Sequence, residues 1–285
     1  MSAMNAQEPN QLGETGKVRL LRRRGRARVP LRQRMPADKL RRGVYLIPSL
    51  FTAGNLMCGF FSIIATFNGE FINAALFIIL ANILDGIDGY AARLTKTTSQ
   101  FGVEFDSLAD VVSFGVAPAV LVYLWALVPW QNWGWLAACT YVVCGALRLS
   151  RFNVQAQGVS KNHFVGLPIP AAAQMITSTV LLYYYLGGAG SPNRHITFLL
   201  VIYGLAALMV SNIPYFSLKN NDIKKRHPIW MLVSGIILIT LFIAQRHVMF
   251  FTLVLLYTLS GPLLWCLTTL IRQRETRRSP AKALP

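Results

Sequence analysis

Residues 83–119 read ILDGIDGYAARLTKTTSQFGVEFDSLADVVSFGVAPA. Five of the chain's eleven acidic residues, Asp85, Asp88, Glu104, Asp106 and Asp110, fall in this one largely apolar stretch. Asp85 and Asp88 are three positions apart and Asp106 and Asp110 four apart, so each pair shares one face of a helix. A short connection lets the two helices pack as a hairpin with the pairs facing each other. Glu104 fits neither pair. Four ionised carboxylates in a low-dielectric setting repel one another. Protonation relieves part of that repulsion, and a bound divalent cation relieves more. An all-oxygen ligand set suits Mg²⁺ or Mn²⁺, and a paired arrangement has room for two ions. The hairpin contains no His, which argues against zinc.

The neighbours of the carboxylates sharpen this chemistry. Gly86 and Gly89 flank the first pair and Gly102 opens the second helix. Each weakens a helix by roughly 1 kcal/mol relative to Ala, so their presence points to close approach of backbone or ligand. Arg93 follows the first pair by a little more than one turn. A cation beside metal-binding carboxylates suits a ligand that carries phosphates. The residues thus describe an intramembrane site that would stabilise charge on a phosphoryl group in transfer. A pathway for divalent cations is the competing chemistry.

The elements that hold such a site must be membrane helices. The 285 residues are 54% hydrophobic and only 14% charged, well below the charge of a soluble domain. Several apolar runs reach the roughly 20 residues that cross a bilayer core. The pattern predicts an all-α polytopic protein with about eight transmembrane helices, at 46–66, 71–92, 105–128, 133–153, 166–186, 195–213, 229–245 and 248–271. Basic residues concentrate on the cytoplasmic side of membrane proteins. With both termini cytoplasmic, 26 of the 28 Lys and Arg residues lie inside, and only Arg194 and Arg246 lie outside. Both carboxylate pairs then sit toward the cytoplasm.

The net charge of +17 is therefore mainly a topology signal. Residues 1–36 read as a disordered basic tail, 37–45 as an amphipathic juxtamembrane segment and 272–285 as a second basic tail. Such tails bind anionic lipid headgroups, and no nucleic acid is expected. Cys58, Cys139, Cys144 and Cys266 lack metal-ligand spacing and read as packing residues.

Written in full, the cluster is Asp85-x2-Asp88-Gly89-x2-Ala92-Arg93-x8-Gly102-x3-Asp106-x3-Asp110. It resembles the signature of the CDP-alcohol phosphotransferase family at every fixed position. The segments GNLMCGFFSIIA, EFDSLADVVSFGVAPA, GALRLSRFNV and GLPIPAAA are similar to the branch that makes phosphatidylserine from CDP-diacylglycerol and L-serine. SNIPYFSLK is weakly similar, and the last two spans carry no resemblance.

The resemblance implies a six-helix membrane core, 46–213, that works as a homodimer, with two additional C-terminal helices at 214–271. It implies a bacterial inner-membrane enzyme that passes a phosphatidyl group to an alcohol and releases CMP. By position, Asp85, Asp88 and Asp106 are metal ligands, and Asp110 is the general base and a contact to a second metal. Gly86, Gly89, Ala92 and Gly102 make room for cytidine and diphosphate, and Arg93 holds a phosphate. Thr52 and Asn55, near the inner end of the first span, are candidates for nucleotide contact, with helix capping or packing as the alternative. Arg148, Arg151 and Asn153 are candidates for the serine carboxylate or a lipid phosphate. Another acceptor, such as glycerol phosphate, inositol phosphate or choline, stands as the alternative substrate.

Overall fold

We describe the protein from a computed structural model covering residues 37–95, 100–156, 166–192, 194–213, 215 and 244–278. The described residues are mostly helical, joined by short turns, with no strand among them. The helices are α1 (Ala37–Phe67), α2 (Phe71–Thr95), α3 (Gln100–Asp110), α4 (Ala117–Val122), α5 (Asn132–Ala156), α6 (Ile169–Tyr185), α7 (Ile196–Val210) and α8 (Arg246–Arg278). Four segments are long and apolar enough to cross a bilayer: Ser49–Phe67, Phe71–Ala91, Gln100–Trp130 and Arg246–Leu267. This is a helical membrane protein.

The packing faces are set by small residues at helical spacing. On α2, Ala74, Ile78 and Ala81 are fully buried, and the same stripe continues to Asp85 and Asp88. The opposite face carries Ile72, Leu76, Leu80, Ile83 and Ile87, all exposed, as lipid contact requires. On α5 the buried stripe is Ala137, Tyr141, Gly145 and Leu149, and Arg148 lies beside it. On α1 the stripe is Thr52, Asn55, Gly59, Ser62 and Thr66, polar or small at every position. Small and hydroxyl-bearing residues let helix backbones approach closely where hydrophobic burial supplies no driving force.

Two departures from the expected helices matter. The third span is one helical run from Gln100 to Trp130 rather than 105–128. It widens into π-helix at Val111–Val116 and at Tyr123–Leu127 and closes with a 3-10 turn at Val128–Trp130. The first π segment begins directly after Asp110, a placement common at functional sites. The segment 37–45 shares one continuous helix with the first span.

The fifth and sixth expected spans are shorter than drawn. α6 has 17 residues and α7 has 15. At 1.5 Å per residue α6 is about 25 Å long, less than the roughly 30 Å hydrocarbon core. Every residue from Ala172 to Ser178 on α6 is buried, so it is enclosed by neighbouring helices and need not match lipid thickness. Nearly all of the expected span 229–245, and the tails at 1–36 and 279–285, lie outside the described residues.

Gly166 fixes the entry to α6. Its φ is +85°, and a Cβ there would collide with the carbonyl oxygens of Met209 and Ser211. Its N–H donates to Ile213 O at 2.9 Å, and Leu167 N–H donates to Leu208 O at 3.0 Å. Both the dihedral and the backbone contact exclude a side chain. Gly166→Ala should destabilise the purified protein by about 2 kcal/mol or more, read as a lower thermal melting temperature in detergent. An unchanged melting temperature would contradict this account of the α7–α6 joint.

Candidate active site and metal centre

Asp85 and Asp88 come from the last turns of α2, and Asp106 and Asp110 from α3. One carboxylate oxygen from each of Asp85, Asp88 and Asp106 lies within 4.8 Å of the other two. Asp110 stands outside that trio, although its charge interacts with those of Asp85, Asp106 and Asp88. Asp88 is buried, and the other three are half-buried.

The partners of these carboxylates are few. Thr52 Oγ1 donates to Asp88 Oδ2 at 3.0 Å. Asn55 Nδ2 donates to Asp110 Oδ1 at 3.4 Å. Asp106 Oδ1 is buried and has no hydrogen-bond partner. Among the described residues no Lys or Arg forms an ion pair with any of the four aspartates.

Magnitudes decide what this arrangement needs. Two unit charges about 5 Å apart repel by about 3 kcal/mol at an effective dielectric of about 20. Three such pairs in the trio outweigh the two hydrogen bonds that Asp88 accepts, from Thr52 and from the Gly89 backbone, each worth about 1.5–3 kcal/mol. A divalent cation held between the three oxygens reverses the sign of the balance. The orphaned Asp106 oxygen is a buried acceptor that a cation could satisfy. The donor set therefore fits a hard, oxygen-preferring metal ion.

The glycines beside the trio border open space. A Cβ at Gly86 or Gly89 would meet nothing within 4 Å, so neither glycine is explained by tight helix packing. Gly102 lies in the first turn of α3. Ala92 and Arg93 belong to α2, and their side chains lie outside the described residues.

Arg148 comes from the C-terminal half of α5. Its Nε is buried without a hydrogen-bond partner, and its guanidinium lies 5.7 Å from the centroid of the Phe152 ring. It interacts electrostatically with Asp110 on one side and with Tyr257 of α8 on another. Arg151 is half-buried nearby on the same helix. Asn153 donates from Nδ2 to Ser107 Oγ at 2.8 Å, and Ser107 donates in turn to Val103 O at 2.9 Å. Its amide thus ties α5 to the residue next to Asp106.

Three residues that the spacing of the acids did not single out help shape the site. Ser113 Oγ donates to the backbone carbonyl of Asn55 at 2.9 Å. Its position three after Asp110, on the same face, was a readable signal. Gly59 faces Ser113 so closely that a Cβ would lie 2.5 Å from Ser113 Oγ and 2.8 Å from Ser113 Cα. Tyr257, by contrast, reaches Arg148 from a distant helix, and no local pattern marks it.

With this geometry in place, comparison identifies the class. Residues 45–210, which hold all four aspartates, match the CDP-alcohol phosphatidyltransferase family, and the chain belongs to that family. It is 43% identical over 188 residues to a CDP-diacylglycerol–serine O-phosphatidyltransferase of Helicobacter pylori, covering 65% of this chain and 76% of the relative. The enzyme of the same name from Bacillus subtilis is 38% identical over 191 residues, 66% of this chain and 97% of the relative. An archaetidylserine synthase of Methanothermobacter thermautotrophicus is 39% identical over 183 residues, 64% of this chain and 74% of the relative.

Asp106→Asn should weaken Mn²⁺ binding by at least tenfold, because it removes a charge and a ligand oxygen from the trio. Electron paramagnetic resonance of free Mn²⁺ titrated with purified protein measures this. Unchanged binding would place the metal elsewhere.

Proposed function

We propose that the chain transfers the phosphatidyl group of CDP-diacylglycerol to L-serine, giving phosphatidylserine and CMP. The observation that carries this reading is the convergence of Asp85, Asp88 and Asp106, with Asp110 set beside them and open space at Gly86 and Gly89. Family membership supplies the reaction type. The serine acceptor follows the relatives: the bacterial ones are named for serine and diacylglycerol, and the archaeal one keeps serine in its product's name.

The residues divide the work. Asp85, Asp88 and Asp106 hold divalent metal, Mg²⁺ or Mn²⁺, with Asp110 able to reach a second ion. Bound metal supplies countercharge for the diphosphate and for the departing CMP. Gly86, Gly89, Ala92 and Gly102 leave room for the nucleotide, and Arg93 binds a phosphate. The serine hydroxyl oxygen bonds to the β-phosphorus, and the bond from that phosphorus to the bridging oxygen breaks. Asp110 accepts the hydroxyl proton as general base. Arg148, with an unpartnered N–H, binds the serine carboxylate, and Arg151 adds positive charge near it. No Ser, Cys or His nucleophile belongs to the cluster, so a single direct displacement is the economical route.

The wider arrangement belongs to the same reading. Residues 46–213 form a six-helix core, 214–271 add two helices, and eight spans put both termini in the cytoplasm. The active site then faces cytoplasmic serine from a bacterial inner membrane. The basic tails at 1–36 and 272–285 bind anionic lipids, and the enzyme is a homodimer.

Purified protein incubated with CDP-diacylglycerol, Mn²⁺ and a panel of alcohols should release CMP with serine, and EDTA should abolish the reaction. Asp110→Asn should lower kcat by a factor of about 10² to 10⁴. Activity confined to an acceptor other than serine would reject the substrate, and full activity of Asp110→Asn would reject the base.

A further inference from the structure

Thr52 and Asn55 lie one helical turn apart on α1, and sequence reasoning alone leaves them between nucleotide contact and helix capping or packing. The structure directs them at the carboxylates. Thr52 is 4% exposed and Asn55 is fully buried, and each side chain donates to an aspartate, Asp88 and Asp110 respectively. The two bonds go to different helices, α2 and α3, so α1 spans the hairpin that carries the acids. Ser62 adds a third link, from Oγ to the Ala74 carbonyl of α2 at 2.9 Å.

The register of α1 is fixed by contacts that have no other evident purpose. Ser113, inside the π-helical segment, donates to the Asn55 carbonyl. An α-helical carbonyl already accepts one intrahelical bond, so the extra donor binds that turn of α1 to the turn that follows Asp110. Gly59, one turn further along, removes the Cβ that would force the two helices apart. The result is a clamp: a shift of α1 along its axis would break the hydrogen bonds to Asp88 and Asp110 together.

We propose that Thr52 and Asn55 are positioning residues of the metal site: Thr52 orients Asp88 as a ligand, Asn55 orients Asp110, and Ser113 with Gly59 sets their register. Ligating carboxylates are commonly held by such outer hydrogen bonds, and loss of one costs about 10–100-fold in metal affinity or activity. A hydroxyl on Asp88 Oδ2 limits the rotational freedom that this carboxylate would otherwise lose on binding. The inference rests on the proposed metal-dependent reading of the site.

The test uses the full-length protein in detergent or nanodiscs. Thr52→Val keeps the shape and removes the donor, and Thr52→Ser restores it. Mn²⁺ binding is titrated by electron paramagnetic resonance, and the KM for CDP-diacylglycerol is measured at saturating Mn²⁺. Thr52→Val should weaken Mn²⁺ binding by about tenfold with less than about a twofold change in that KM, and Thr52→Ser should recover binding. Ser113→Ala, which leaves both donors in place, should weaken binding by a smaller factor, and it serves as the second variant if Thr52→Val does not fold. Unchanged Mn²⁺ binding in Thr52→Val or, where that protein does not fold, in Ser113→Ala overturns the proposal. So does a tenfold rise in the KM for the CDP-lipid with metal binding intact. Wild-type protein that binds Mn²⁺ yet releases no CMP with serine would reject the substrate reading alone and leave this inference to the binding data.

Discussion

Mutual repulsion among carboxylates is the constraint around which this bundle is organised. Two neighbouring helices carry pairs of aspartates, three of which meet inside an apolar protein. Hydrogen bonds from Thr52 and Asn55 offset only part of that cost. A cation among the three carboxylates would offset the remainder, so the stability of this region and its capacity to bind metal would have the same origin. Gly59 on α1 allows close approach to Ser113, in the π-helical turn after Asp110, on the helix whose Thr52 and Asn55 donate to the acids.

The rest of the fold delivers those side chains to one end of the bundle. The alanine stripe that packs α2 runs directly into Asp85 and Asp88, so correct packing near one end of the helix orients the acids near the other. α5 does the same through Tyr141, whose hydroxyl donates to the Phe114 carbonyl at 3.1 Å, and through Asn153, which grips Ser107. α6 is short and enclosed, and acts as the post against which α2 and α8 pack. Exposed faces carry large apolar residues, and the contact faces of α1 and α2 use small and hydroxyl-bearing ones, while Phe114, Leu121 and Trp125 fill the core between helices. Small residues at those two faces let the backbones approach closely.

Much of this was legible in the sequence, and the gaps have physical causes. The two aspartate pairs were readable because helical periodicity converts a spacing of three or four into a shared face. The apolar runs located the helices, but they could not show that Gln100–Trp130 is a single run with two π segments, because hydropathy carries no information on which backbone carbonyl each N–H selects. Enclosure of α6 was equally invisible, since an apolar helix reads the same whether it meets lipid or protein. Thr52 and Asn55 could be singled out as polar residues in the first span, yet their partners, Asp88 and Asp110, depend on tertiary packing. The same holds for Arg148 and Tyr257, which lie on helices far apart in sequence.

The central claim is that the trio of Asp85, Asp88 and Asp106 holds a metal ion. Anomalous diffraction from crystals grown with Mn²⁺, collected at the manganese edge, tests it most directly. The account predicts an anomalous peak within about 2–2.5 Å of a carboxylate oxygen from each of the three residues, near the typical range for hard cations on oxygen. Manganese density elsewhere in the molecule, with none at the trio, would contradict it.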